Sequence, residues 1–109
     1  MAGPVDPEFV QHFHRTALNA IESHGLQLDA SGEAAISDLA ERAAETVDDH
    51  DGAKVQRAEG AFERLAVDLA DQAAAEADLL VEPASAPRIE DAHVKKALLR
   101  FCPGFFPFC

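Results

Sequence analysis

The sequence predicts an all-α fold: a four-helix domain with one long central helix and an apolar C-terminal segment. Three observations carry this. Apolar residues recur at three- and four-residue spacing in four separate blocks, the pattern of amphipathic helices. Each of the first three blocks ends on a stop signal: His24-Gly25, then DDHDG over 48–52, then EPASAPR over 82–88. The last eight residues, CPGFFPFC, hold both cysteines, three of the seven phenylalanines and two of the six prolines, so no helix continues through them.

The first helix starts at Asp6-Pro7-Glu8. Asp6 is a capping residue, Pro7 suits the first helical position, and Glu8 suits the positive end of the dipole. Phe9, Phe13, Ala17 and Ile21 recur every four residues, with Val10 and Leu18 beside them, until Gly25 supplies a helix stop. After Leu26-Gln27-Leu28, Asp29 or Ser31 can cap the second helix, whose stripe is Ile36, Leu39, Ala40, Ala43 and Val47. The third helix runs from about Ala53 to about Val81 along Val55, Ala58, Phe62, Leu65, Ala66, Leu69, Ala73, Ala77 and Leu80. Roughly 40 Å long at its ~1.5 Å rise, it must serve as a central spine or pair with a second chain. Phe62, Leu65 and Leu69 are the expected dimer interface, and Gly60 marks a candidate close crossing. A fourth helix, about Glu90 to Phe101, carries Val94, Ala97, Leu98 and Phe101. The expected division is one helical domain over 1–101 and a Cys/Phe/Pro-rich segment over 102–109.

Charge narrows the partners. The chain has a net charge of −11, and its distribution is uneven. Residues 1–81 carry 17 acidic and 5 basic side chains, whereas 82–109 carry 3 and 4. So acidic a body argues against direct contact with nucleic-acid phosphates or anionic membranes. No apolar run approaches the length of a membrane span, and no basic stretch leading into an apolar one marks a secretory leader. Two cysteines do not make a secreted disulfide scaffold, so the expected location is cytoplasmic.

The stretch from Gly52, GAKVQRAEGAFERLAVDLADQAAAEA, resembles the start and body of the long central helix of histone-fold proteins. RIEDAHVKKALLR, from Arg88, is similar to the loop and last helix of core histones at Arg88, Ile89, His93, Val94, Ala97 and Leu98. The resemblance covers about residues 33–100. It implies handshake-like dimerisation through the long helix, with the first helix as an added element. Glu90 and Lys95 depart from the family's Thr and Asp, and DDHDG stands where the family contacts DNA. The resemblance therefore implies a chromosome-associated protein acting with a basic partner rather than one that coats DNA.

The C-terminal segment is the candidate site. Cys102 and Cys109 are spaced for a disulfide-closed loop around the turn-forming Pro103-Gly104. Phe101, Phe105, Phe106 and Phe108 left in water would make an unusually large apolar patch. They are expected to fold back on the bundle or to dock on a partner protein, either a second copy or another chain. Two cysteines supply half of a zinc site, so a thiol- or metal-responsive regulator is the alternative reading.

Elsewhere the chemistry is sparse. His12 and His14 fall on nearly opposite helix faces, His24 suits a helix end, and His93 suits a surface or interface. Asp48-Asp49-His50-Asp51 lacks the alternation of a calcium loop and reads as a solvated turn. Glu41 and Glu45, like Glu59 and Glu63, have carboxylate-ligand spacing without the Glu-x-x-His of di-iron bundles. No phosphate loop, nucleophile elbow or HExxH is present. The expectation is a non-catalytic, cofactor-free interaction or dimerisation module.

Overall fold

Four α-helices follow one another in the chain: α1 (Pro7–Ser23), α2 (Ala30–Thr46), α3 (Gly52–Leu79) and α4 (Asp91–Phe101). The computed structural model describes residues 6–79 and 88–102 with Gly104 and Phe108, the side chains of 77–79 excepted. The expected positions 80 and 81 of the third helix, and most of the EPASAPR loop, lie outside those residues.

Local chemistry sets the ends. Asp6 caps α1 by accepting the Glu8 N–H at 2.9 Å, with Pro7 in the first turn. Gly25, at φ +74°, turns the chain out of α1, a conformation open to glycine at little cost. Asp29 caps α2, its Oδ1 accepting from the Gly32 N–H at 2.8 Å. The acidic turn is structural. Asp48 Oδ1 accepts from the His50 N–H at 2.9 Å, and Asp51 Oδ1 accepts from the Lys54 N–H at 3.2 Å at the start of α3.

The helices form a ring in which α1 packs on α2 and α3, and α4 packs on the same two from the other side. One core fills it, and its largest fully buried side chains are Phe13, Ile21, Ile36, Phe62, Leu65, Leu69, Ile89 and Val94. The face of α3 is covered within the chain itself: Phe62, Leu65 and Leu69 are each 0 % exposed. They are core residues here, and a second chain reaches them only if a neighbouring element moves away. Gly60 marks no close crossing, since it is exposed and a β-carbon there would meet nothing within 4 Å.

The close approach falls instead at Gly32, in the first turn of α2. A β-carbon there would collide with the Ile89 carbonyl oxygen and lie 3.0 Å from its carbon. This intimacy comes from a short parallel pairing of Leu28 with Ile89. The Ile89 N–H donates to the Gln27 carbonyl at 2.8 Å, and the Asp29 N–H donates to the Ile89 carbonyl at 3.0 Å. Ser31 extends the seam, donating to Asp29 Oδ1 at 2.7 Å and accepting from the Asp91 N–H at 3.2 Å. So α2 and α4 start side by side. Among the described residues no helix is long and apolar enough to cross a membrane.

Candidate functional site

At the far end of α4 the chain folds back on the bundle. Phe101, the last helical residue, is half-buried and packs against the core. Cys102 follows in extended backbone, its N–H still donating to the Leu98 carbonyl at 2.9 Å. Gly104, at φ +107°, is in a region that disfavours any side chain. Phe108 is only 5 % exposed and belongs to the core cluster. Its ring meets Phe62 edge-on, with centroids 5.0 Å apart and planes at 73°, a geometry favoured by the aromatic quadrupole. Phe62 in turn contacts Phe13 at 5.6 Å, and Phe13 contacts Phe9 at 4.7 Å. An aromatic row therefore runs from α1 through α3 to the C-terminal segment.

Cys102 is disulfide-bonded. Cys109 is the chain's only other cysteine, and it lies outside the described residues, as do Phe105 and Phe106.

A polar network clips α4 to α3 on the same side of the bundle. Asp68, 4 % exposed, accepts from Arg100 Nη1 at 2.7 Å and from Gln72 Nε2 at 2.9 Å. Gln72 also donates to the His93 carbonyl at 3.0 Å. His93, expected at a surface or interface, is buried between α4 and α3. Its Nδ1 accepts the Glu90 N–H at 2.9 Å, so Nε2 carries the proton, and it lies 2.6 Å from Glu76 Oε1. Both ring nitrogens are thus engaged within the protein, which leaves neither for proton transfer to a substrate. The apolar pattern did not announce this network. Its trace is Asp68, Gln72 and Glu76, each one helical turn apart, facing His93 and Arg100 two turns apart.

The remaining candidates stay separate. Asp48, Asp49 and His50 bring one ligand atom each within 4.8 Å of one another, but all three are exposed. His12 reaches across to Glu59 at 3.3 Å, while His14 turns the other way into a groove shared with Glu41 and Glu45. His14 Nε2 is buried without a hydrogen-bond partner. Asp29's carboxyl is held below the ordinary aspartate value, chiefly by the Gly32 N–H and then by the Ser31 hydroxyl. A groove of about 480 Å³ between α2 and α4 is lined by Ala35, Leu39, Val94 and Leu98 and rimmed by the Asp38–Arg42 and Asp91–Lys95 pairs. Leu99, next along α4, is 80 % exposed.

No family model, no curated protein and no solved structure matches this chain.

Proposed function

We propose that the chain is a non-catalytic helical interaction module whose C-terminal segment is the working element, seated on its own core and able to dock in trans on a partner protein. One observation carries the reading: Phe108, from the most apolar stretch of a strongly acidic chain, plugs the aromatic row at Phe62. A socket that accepts a phenylalanine from its own chain presents the same surface to one from another chain. The Asp48–Asp49–His50 cluster forms the acidic turn and the Glu76–His93 pair belongs to the α3–α4 clip, which supports a role without catalysis.

A labelled peptide of residues 100–109 tests the reading. Titrated into the full-length Phe108→Ala chain, it should raise fluorescence anisotropy to saturation. The unsubstituted chain, whose own Phe108 fills the socket, should bind it at least about tenfold more weakly, a difference of ~1.4 kcal/mol. No saturable binding to Phe108→Ala would remove the reading.

A second reading, a histone-like module acting with a basic partner, has the helix lengths in its favour. α2, α3 and α4 have 17, 28 and 11 residues, the medium-long-short order of the resemblance. Light scattering checks its handshake: it requires twice the 11.7 kDa chain mass, and a monomer at every concentration excludes self-pairing.

A further inference from the structure

We propose that the groove between α2 and α4 is a self-pairing surface: two copies of this chain meet there about a two-fold axis, and Leu99 of each covers the apolar groove of the other. The surface is separate from the Phe62 socket and from the α3 face of a histone-like handshake.

The groove has an apolar interior and a charged rim. Leu39 and Val94 make its floor, buried to 2 % and 1 % exposure, and the half-buried Ala35 and Leu98 make its walls. Leu99 stands at its edge. It lies one helical turn beyond Lys95 and next to Leu98, both of which line the groove, so the rim along α4 reads Asp91, Lys95, Leu99. A solitary exposed leucine is ordinary on a protein surface. One that is 80 % exposed beside an apolar groove extends that groove into a patch.

Charge selects the occupant. A chain of net charge −11 repels its own copy over most of its surface. The groove at Glu41 and Glu45 is negative, and so is the one where Glu22 and Glu33 face a single Arg88. Here Asp38 and Asp91 are balanced by Arg42 and Lys95. The signs are also ordered. On α2 the acid Asp38 precedes the base Arg42 by one turn. The Asp91 N–H donates to Ser31 Oγ, so the two helices start level. Counted from there, Leu99 stands level with Leu39, between the heights of Asp38 and Arg42. A two-fold axis at that level reverses α2 against its copy. Asp38 then faces Arg42 of the second copy, and Arg42 faces its Asp38. The face is complementary to itself, as a closed two-fold contact requires, whereas a purely acidic or basic helix would meet half of these charges with its own sign.

Light scattering over a concentration series, on the full chain with and without Leu99→Glu, tests the pairing. The unsubstituted chain should reach twice the 11.7 kDa chain mass. Leu99→Glu should raise the dissociation constant at least about tenfold, while its exposed position keeps the helical circular dichroism unchanged. Charge reversal checks the register: Asp38→Arg or Arg42→Asp alone should weaken pairing, and the two together should restore it. A monomer at every concentration overturns the inference and leaves the groove to a helix of a different protein. A dimer that Leu99→Glu leaves equally tight overturns it as well, and points to α3 or to exchanged C-terminal segments. So does a double reversal no tighter than the single ones. Peptide binding at Phe62 is read separately, so its failure counts against the socket and not against this surface.

Discussion

At its first residue α4 is held by hydrogen bonds to the start of α2, whereas at its last it is held by aromatic packing beside the Arg100–Asp68 ion pair. The first attachment uses groups every chain carries, the N–H and carbonyl of Gln27, Asp29 and Ile89, with Ser31 as a bridge. Hydrogen bonds demand exact placement, and at Gly32 they leave no space for a methyl group. The second attachment uses Phe101, Phe108 and Phe62. Apolar packing tolerates more variation in shape. One end is demanding; the other is forgiving.

Substitutions can separate the two. The largest effect is expected at the hydrogen-bonded end. Gly32→Ala pushes a methyl into the Ile89 carbonyl, and because that obstacle is backbone the loss should approach ~3 kcal/mol, read from a urea midpoint. At the packed end Phe108→Ala should cost about 2 kcal/mol of burial, and a larger loss there than at Gly32→Ala would break the comparison. The smallest effect belongs to neither end. Gly60→Ala, on the open side of α3, should stabilise by about 0.5–1 kcal/mol through helix propensity, and a loss there would show an unseen neighbour.

These two glycines show what the sequence reveals. α1 was legible almost residue by residue, because Asp6, Pro7 and Gly25 act on their own backbone and the stripe of Phe13, Ala17 and Ile21 needs only a periodicity. The existence and order of all four helices followed in the same way. Gly32 and Gly60 look equally out of place in a helix, and only Ile89, far along the chain, distinguishes them. The buried polar network was missed for a related reason. Asp68, Gln72 and His93 count as solvent-facing in any apolar pattern, and their burial depends on Arg100 and Glu76 arriving from other turns. At the candidate site, the return of Phe108 to the bundle was one of two expected homes for the phenylalanines. Its contact with Phe62 could not be chosen from sequence, since every apolar residue of the core was an equal candidate.

The seam between Leu28 and Ile89 also bears on the order of assembly. It joins positions sixty-one apart, and closing so long a loop is slow relative to local helix formation. On a ribosome, α1, α2 and α3 emerge before Ile89 exists, and Phe13 can meet Phe62 while the Gln27 carbonyl and the Asp29 N–H still face water. The stretch around Ile89 thus completes the backbone bonding of the loop between α1 and α2, and a nascent chain stalled before residue 89 carries an unfinished edge where the folded protein has a seam.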